Sequence, residues 1–406
     1  MPAFSARPYR LFNKIQHYAW GSKNERAFIP RLLGYRPEPD LPYAELWMGI
    51  HPNAPSEVET DAGRMTLIDF IQSYPEEILG ERVARQFGAQ LPFLFKVLSA
   101  GEPLSIQAHP DKEQAVALHA RDPQHYPDDN HKPEIAIALD HLTALVGFCP
   151  EPEIEQTLRR YPELVSFIGQ PVVQTFMESS SSGRRHAFQK LFTTLMIKGS
   201  EQVSDLETAL AALEKRLQNK QSLSEKEVLF LELRAKYHTD IGLFVIFFLN
   251  LLHLQKGQGV FLKAGLPHAY VLGNIVECMA NSDNVVRAGL TPKFKDVKTL
   301  TEILTYEMGQ PEIYRPSEKE RQFVYRVPTD EFSVRKLELE KGSTWEHSLS
   351  SVEICVVVQG RLVLEFGDQS VKANQGDSFL LPAALGAITF RAHADSELFC
   401  AFVPVS

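Results

Sequence analysis

Four side chains that can bind a metal ion stand in three short fragments of this chain. The fragments are residues 105–110 (SIQAHP), 131–134 (HKPE) and 265–270 (GLPHAY), and they offer Gln107, His109, Glu134 and His268. Imidazole, carboxylate and amide oxygen together suit a borderline cation such as zinc better than ions that prefer thiolates or only oxygen. Only a folded barrel or sandwich can bring such separated fragments together. The set predicts a metalloenzyme.

The local spacing of these residues supports a shared site. Gln107 and His109 are two residues apart, which on a strand points both side chains to one face. His268 follows a Gly-Leu-Pro bend that restricts its direction. Glu134 begins an apolar run, where a buried carboxylate needs a metal or a positive partner. Each fragment alone could be a turn or a surface feature, but the three together favour a site.

Further polar residues are concentrated near these fragments. Lys96 lies inside the apolar run FLFKVL, and Lys132 precedes Glu134 by two residues. Polar groups in a core-like stretch are costly unless they are paired or catalytic, and segment 276–293 holds seven of note: Glu277, Asn281, Ser282, Asp283, Asn284, Arg287 and Lys293. Hydrogen bonding inside a barrel would explain the two asparagines. The Arg287 guanidinium instead suits a phosphate or a developing oxyanion.

Composition narrows the classes of protein and partner. A chain of 406 residues is expected to form two or three structural units. Its 44% hydrophobic and 23% charged residues are typical of soluble globular proteins. The net charge of −9 argues against a nucleic-acid partner, which would require a basic face. An anionic substrate would need a local cluster of Lys and Arg.

Cysteine usage and hydrophobic runs indicate a cytoplasmic protein without a membrane span. The four cysteines, Cys149, Cys278, Cys355 and Cys400, form no Cys-x-x-Cys pair, so free thiols are predicted. The first 14 residues contain no apolar export region. The most hydrophobic run, 241–254, is too short to cross a membrane and is predicted to be a buried helix.

Strand-like and helix-like segments form three blocks along the chain. Up to about residue 150, runs such as 91–99 and 134–138 predict strands, and frequent prolines argue against long helices. From 151 to 254, two capping boxes (204–207 and 224–227) and leucines at helical spacing predict a helical insert. Strands are predicted again in the third block, at 260–262, 356–358, 362–366, 378–381 and 399–403.

The order of these blocks predicts a mainly β fold with a helical insert. Because metal ligands lie on both sides of the insert, residues 1–150 and 255–320 are expected to form one discontinuous catalytic jelly-roll domain of cupin kind. Residues 151–254 would form the α-helical domain and 321–406 a second cupin-like jelly roll. Segments 259–270 and 376–387 are similar, but the second lacks a counterpart of His268, so the C-terminal domain is expected to bind no metal.

Several long strings resemble type I phosphomannose isomerases (mannose-6-phosphate isomerases). These strings are QHYAWG at 16–21, ELWMG at 45–49, QAHPDK at 107–112, DDNHKPE at 128–134 and NSDNVVRAGLTPKFKDV at 281–297. With their neighbouring matches they cover roughly half the chain and nearly all of the first β-domain. The insert and the C-terminal block resemble the family in layout more than in motif.

The resemblance implies a site and an activity. It implies one zinc ion per chain, held by Gln107, His109, Glu134 and His268. It also implies a pocket for mannose 6-phosphate and fructose 6-phosphate that includes Lys96, Ser105, Lys132, Tyr270, Glu277, Asp283, Arg287 and Lys293. Such an isomerase would serve mannose catabolism and the supply of GDP-mannose precursors. A sugar phosphate would be its small-molecule partner, and a monomer is expected.

Interconversion of an aldose and a ketose demands movement of a proton between neighbouring carbons, through a cis-enediolate. A cation can polarise the substrate oxygens, and Arg287 could stabilise the developing oxyanion. The group that carries the proton needs a pKa near the working pH. Lys132 is the candidate, with His131, Glu277 and Asp283 as alternatives. Arg287 or Lys293 would hold the phosphate, and a hydride shift is an alternative that needs no base.

Two other classes of cupin remain open at this point. An iron dioxygenase would use three His and a Glu, or two His and one carboxylate, so Gln107 counts against it. A non-catalytic sugar-binding cupin would not need the acid–base groups Lys132, Glu277 and Asp283. Metal analysis would separate the first class, and turnover the second.

Overall fold

The computed structural model describes residues 4–317 and 319–405. The first block contains short helices between strands, and the longest of these helices has 10 residues, as the prolines predicted. Its elements are β1 (Tyr9–Phe12), β2 (Lys14–Gln16), α1 (Phe28–Leu32), β3 (Glu45–Met48), β4 (Glu57–Thr60), β5 (Gly63–Thr66), α2 (Leu67–Ser73), α3 (Pro75–Leu79), α4 (Glu81–Phe87), β6 (Phe93–Ala100), β7 (Ile106–Ala108), α5 (Lys112–Arg121) and β8 (Glu134–Phe148).

The second block is helical, as predicted. Its helices are α6 (Glu151–Arg160), α7 (Pro162–Ile168), α8 (Gln170–Glu178), α9 (Arg184–Glu201), α10 (Val203–Gln218), α11 (Glu225–Tyr237) and α12 (Gly242–Val245). The capping box of Ser224 and Glu227 opens α11 and is confirmed. The box predicted at Ser204 is wrong, because α10 begins at Val203 and Ser204 lies inside its first turn.

The prediction of a buried helix over 241–254 is only half correct. After α12 and a 3-10 turn (Ile246–Phe248), the chain becomes strand β9 (Leu249–Gln255), which pairs with β8. An unbroken apolar run has no period, so a buried strand and a buried helix cannot be separated by pattern alone. No helix among the described residues is long and apolar enough to span a membrane.

The regular elements of the remaining chain are mostly strands. Its elements are β10 (Gly259–Leu262), β11 (His268–Ala280), β12 (Val286–Gly289), α13 (Val297–Ile303), β13 (Ile313–Tyr314), β14 (Gln322–Tyr325), β15 (Ser333–Leu339), β16 (Thr344–Ser348), β17 (Glu353–Gln359), β18 (Arg361–Phe366), β19 (Gln369–Asn374), β20 (Ser378–Leu381), β21 (Ala387–Ala392) and β22 (Ser396–Phe402). The predicted strands of this region are all present, and the mainly β fold with a helical insert is confirmed.

The strands of residues 4–317 and 319–405 form three sheets. The site sheet runs β13-β10-β8-β11-β6-β3-β2, with β7 and β9 pairing to β11 and β8 and with β12 pairing to β7. The central sheet runs β14-β15-β22-β17-β20-β1-β4-β5, and the outer sheet runs β16-β21-β18-β19. Three strands from the first 66 residues thus belong to the same sheet as strands from beyond residue 320. The domain limits at 150, 255 and 320 stay a prediction.

The middle strands of the central sheet, β15, β22, β17 and β20, are buried on both faces, because alternate residues enter two different cores. Ile354 and Val356 of β17 pack with Phe95 and Val97 of the site sheet. Cys355 of the same strand packs instead against the outer sheet, in a core we call the second-barrel interior. The opposite face of the site sheet carries Lys96, Glu134 and Glu277, which alternate with these apolar residues.

The prediction of four free thiols is wrong for two of them. Cys355 and Cys400 stand opposite each other on the neighbouring strands β17 and β22 and form a disulfide. Cys149 and Cys278 are free and buried. The pairing depends on the register of two strands 45 residues apart, which the spacing of cysteines in the sequence does not reveal.

Candidate metal centre and substrate site

Three of the four predicted ligands lie close together, although different parts of the site sheet carry them. His109 follows β7, Glu134 begins β8 and His268 begins β11, and all three side chains are buried. The Nε2 atoms of His109 and His268 each lie 3.5 Å from a different oxygen of the Glu134 carboxylate. This group could hold a metal ion.

The two histidines are oriented as metal ligands. Nδ1 of His109 lies 2.8 Å from the carbonyl oxygen of Asn284, and Nδ1 of His268 lies 3.0 Å from that of Leu266. Each Nδ1–H therefore donates to a carbonyl, which leaves Nε2 with its lone pair. Both Nε2 atoms are buried and have no hydrogen-bond partner among the described residues. A metal ion would satisfy two buried atoms that otherwise stay unpaired.

The ionisation of the three groups also fits a cation. Burial lowers the pKa of His109 and so favours its neutral form. Burial alone would raise the pKa of Glu134, but His109 and Lys132 outweigh it and hold that pKa well below its usual range. Neutral imidazoles and an ionised carboxylate are the forms that bind zinc.

Gln107 lies beside this group on β7. Its Cα is opposite that of His268 on one side and that of Arg287 on the other. Its Oε1 is 3.4 Å from the hydroxyl of Ser105, and its side chain is half-buried. The pairing of β7 with β11 thus places Gln107, the predicted fourth ligand, next to His268.

A second group of charges is buried on the same face of the site sheet. The Lys96 ammonium donates to Glu277 at 3.0 Å and lies 3.8 Å from Glu45. The Tyr270 hydroxyl donates to the other oxygen of Glu277 at 2.8 Å. Burial disfavours the charge of Lys96, but its carboxylate neighbours outweigh this and raise its pKa. Burial and Glu277 raise the pKa of Tyr270, so the phenol stays protonated.

Three residues of this region were not predicted as site residues. Trp47 donates to Glu45 at 2.5 Å, and the His51 ring packs on Trp47 with centroids 4.5 Å apart. His51 Nε2 in turn lies 3.0 Å from the Asp283 carboxylate, which lowers the pKa of Asp283. The ELWMG string contains the signal, since Glu45 and Trp47 are two apart on a strand and share a face. A cavity of about 450 Å³ opens beside His51 and Asp283.

The segment between α5 and β8 contains two further candidates, Lys132 and His131. Lys132 is buried, with its Nζ atom 3.4 Å from Glu134. His131 turns away from that carboxylate, and its Nε2 lies 2.6 Å from Glu331. Lys132 is therefore adjacent to the candidate metal group, whereas His131 is held by a residue of the C-terminal block.

Arg287 and Lys293 occupy different environments. Arg287 on β12 is half-buried, and its guanidinium has no hydrogen-bond or ion-pair partner in the described part of the chain. Burial lowers its pKa, although a guanidinium remains charged. Lys293 lies on an exposed loop between β12 and α13. The structure does not bring Lys293 into contact with the other candidates.

The fold and the buried His–Glu–His group define a cupin-type protein with a candidate metal centre. Family models match residues 9–151 (phosphomannose isomerase type I, catalytic domain), 168–249 (phosphomannose isomerase type I, helical insertion domain) and 321–396 (mannose-6-phosphate isomerase, cupin domain). The chain belongs to the type I phosphomannose isomerase family.

Individual relatives agree with this assignment. The chain is 38% identical over 393 residues to mannose-6-phosphate isomerase 2 of Arabidopsis thaliana, which covers 92% of this chain and 88% of the relative. A crystal structure of a phosphomannose isomerase variant from Salmonella typhimurium has a TM-score of 0.87 at 31% identity, covering 98% of this chain and 100% of the other. A mannose 6-phosphate isomerase bound with zinc and yttrium has a TM-score of 0.85 at 30% identity, with the same coverage.

Proposed function

We propose that this protein is a zinc-dependent isomerase that interconverts mannose 6-phosphate and fructose 6-phosphate. The observation that carries the proposal is the pair of buried, unpartnered Nε2 atoms of His109 and His268 on either side of the Glu134 carboxylate. Membership of the phosphomannose isomerase family and the name of the zinc-bound structural relative support the substrate and the metal.

The proposed ligand set is Gln107, His109, Glu134 and His268. Gln107 would bind through its amide oxygen, since the strand pairing sets it beside His268. One zinc ion per chain would act as a Lewis acid that polarises the substrate oxygens. The carbonyls that accept from the two imidazoles would hold their rings in place and fix the tautomer.

We infer that Lys132 carries the proton between the two carbons through a cis-enediolate. Its Nζ atom is buried next to Glu134, where a sugar bound at the metal group would lie. Glu277 and Asp283 are alternatives, but each already accepts from a neighbour: Glu277 from Lys96 and Tyr270, and Asp283 from His51. His131 is the remaining alternative, and it is engaged by Glu331.

We infer that Arg287 binds an anionic part of the substrate. A half-buried guanidinium without a protein partner is costly unless an anion completes its hydrogen bonds. Its strand position opposite Gln107 sets it beside the metal group. Lys96, Ser105, Tyr270 and Lys293 are proposed to line the remaining substrate pocket, with Lys293 as the alternative phosphate ligand.

The two other cupin classes are disfavoured by the same residues. An amide ligand and a buried Lys132 fit neither the iron triad of a dioxygenase nor a site that only binds sugar. The proposed activity would serve mannose catabolism and GDP-mannose supply. A cytoplasmic location and a monomeric state stay predictions.

The test is to measure conversion of mannose 6-phosphate to fructose 6-phosphate before chelation, after chelation and after addition of zinc. We expect activity to disappear with the chelator and to return with zinc, at one zinc ion per chain. Absence of turnover with zinc fully bound would contradict the isomerase proposal. Full turnover in metal-free protein would contradict the role of the metal.

A further inference from the structure

The C-terminal block, residues 321–405, contacts the segment that carries Lys132 through the carboxylate of Glu331. Glu331 lies in the loop before β15, and its Oε1 atom is 2.6 Å from Nε2 of His131. The hydroxyl of Thr329 donates to the other oxygen of the same carboxylate. Glu331 is 9% exposed, and it is separated from His131 by 200 residues of sequence. The contact therefore joins two distant parts of the chain.

The segment that Glu331 holds is also fixed on its other side. The Asn130 carbonyl accepts from the Ser282 hydroxyl and from the Asn284 amide, each at 3.0 Å. The Asn130 side chain donates to the Asn281 carbonyl at 2.9 Å. Residues 130–134 thus run between the 281–284 segment and Glu331. Lys132, 3.4 Å from Glu134, lies between His131 and Pro133, whose carbonyl accepts from the Ala280 backbone N–H at 3.1 Å.

Packing alone does not confine this segment. A cavity of about 620 Å³ borders it and is lined by His131, Pro133 and Thr329 among others. Side chains next to a cavity of this size have room to rotate when a polar contact is lost, because no atoms fill the space on that side. His131 lines this cavity, and its ring is held there by the hydrogen bond with Glu331.

We propose that Glu331 is a positioning residue: it anchors His131 and thereby holds Lys132 at the metal group in the productive arrangement. The proposal rests on the isomerase function proposed above. It gives the C-terminal block a role in turnover, although that block supplies no metal ligand. Glu331 itself touches neither substrate nor metal.

Attachment of the C-terminal block does not depend on this contact. Strand β1 pairs with β20, the Tyr325 hydroxyl donates to the Gly257 carbonyl at 2.5 Å, and Lys256 pairs with Glu397 at 2.6 Å. Removal of the Glu331 carboxylate therefore leaves the two parts of the chain docked. A loss of turnover would then reflect the position of the 130–134 segment.

The experiment compares Glu331→Ala, Glu331→Gln and the matched control Glu353→Gln. Glu353 is likewise buried and paired with a histidine, but its partners Arg335 and His347 lie in the second-barrel interior. The measurements are kcat, KM, bound zinc and amide hydrogen exchange of residues 128–134. The wild-type protein is assayed first, and an inactive zinc-loaded wild type would overturn the isomerase function rather than this inference alone.

We expect Glu331→Ala to lower kcat by about 10- to 100-fold, the scale of a misplaced catalytic group, with KM changed by less than about twofold. Zinc content should stay at the wild-type level, and exchange in 128–134 should quicken. Glu331→Gln keeps an oxygen that accepts from His131, so we expect it to retain most of the turnover. The control should leave both kcat and this exchange unchanged.

Three results would overturn the inference. One is a Glu331→Ala protein whose kcat matches the wild type. A second is a kcat loss without faster exchange in 128–134. The third is an equal kcat loss in the Glu353→Gln control, which would indicate that any damage to the C-terminal block lowers turnover.

Discussion

The face of the site sheet that carries Lys96, Glu134 and Glu277, which we call the site face, contains buried charged groups, and so does the second-barrel interior. The two regions differ in how the buried groups are paired. On the site face, Nε2 of His109 and of His268 has no hydrogen-bond partner in the described parts of the chain, although both atoms are buried. In the second-barrel interior, the Glu353 carboxylate accepts from Arg335 at 3.0 Å and lies 2.8 Å from His347. A histidine there has its carboxylate partner within hydrogen-bond distance, whereas on the site face the histidines stand back from theirs.

The difference shows where ligand binding can arise in two related β architectures. A buried polar group that is already paired stabilises the fold and has little left to offer a ligand. A buried group that lacks a partner costs free energy until a ligand supplies one. The two interiors therefore differ in whether a carboxylate satisfies the Nε2 atom of a histidine: Glu353 does so at His347, and Glu134 does not at His109 and His268.

The largest expected effect comes from removing a histidine of the site face, with a histidine of the second-barrel interior as the control. His268→Ala should lose bound metal and lower kcat by at least about 1,000-fold, since the proposed Lewis acid is lost. The fold should persist, because the Nε2 atom of His268 makes no hydrogen bond to another described residue. His347→Ala, the matched change in the second-barrel interior, should keep metal and turnover. Metal content and kcat are measured on both variants. Equal losses in the two would contradict the difference between the two regions.

The next effect concerns the cation beside the metal group. Lys132→Met should keep zinc and lower kcat by about 100- to 10,000-fold, the range of general acid–base catalysis. Lys336→Met is the control, since Lys336 pairs with Glu338 at 2.6 Å in the C-terminal block. An unchanged rate in Lys132→Met would transfer the proton-carrying role to Glu277, Asp283 or His131.

A smaller effect is expected on stability. Lys96→Met leaves the buried carboxylates of Glu277 and Glu45 without their cation, and breaking such a pair costs about 3–5 kcal/mol of unfolding free energy. Glu353→Gln should cost less, because its amide oxygen still accepts from Arg335. Urea unfolding of the two variants measures the difference. Equal stabilities would mean that the two buried charge groups are equivalent.

The smallest expected effect is a dependence of stability on pH at the contact between His131 and Glu331. Hydrogen bonds from His131 and Thr329 outweigh burial and lower the pKa of Glu331 to about 2. An unfolded glutamate has a pKa of about 4.3, so the stabilisation is complete above that pH and is lost as the pH falls towards 2. The stability difference between wild type and Glu331→Gln should therefore shrink over this interval. A constant difference in Tm from pH 7 to pH 3 would contradict the low pKa.

The sequence predicted those parts of the fold whose signals are local. Strands β6, β17 and β18 followed from alternation and turn residues, and Leu206, Leu210 and Leu213 do form the buried face of α10. The run 241–254 was misread because an apolar segment without a period fits either element. Ser204 was misread as a cap because a capping box can also occur by chance inside a first turn.

The site was predictable where the chemistry is concentrated in short strings. QAHPDK and HKPE contain His109 and Glu134, and the structure brings both together with His268. Glu331 could not be predicted in the same way, since it is 200 residues from His131 and belongs to no such string. The Cys355–Cys400 pair was missed for a related reason, because it follows from strand register.

Strand β1 has a consequence for how the protein is made. Tyr9 and Arg10 pair with Leu380 and Phe379, so β1 finds this partner only after the long intervening part of the chain has been synthesised. Contacts of such sequence separation form slowly and leave strand edges exposed in the meantime. A nascent chain, or one truncated before β20, would present the free edge of β1 to chaperones or to other chains. Synthesis of β20 is therefore the step that joins β1 to the rest of the central sheet.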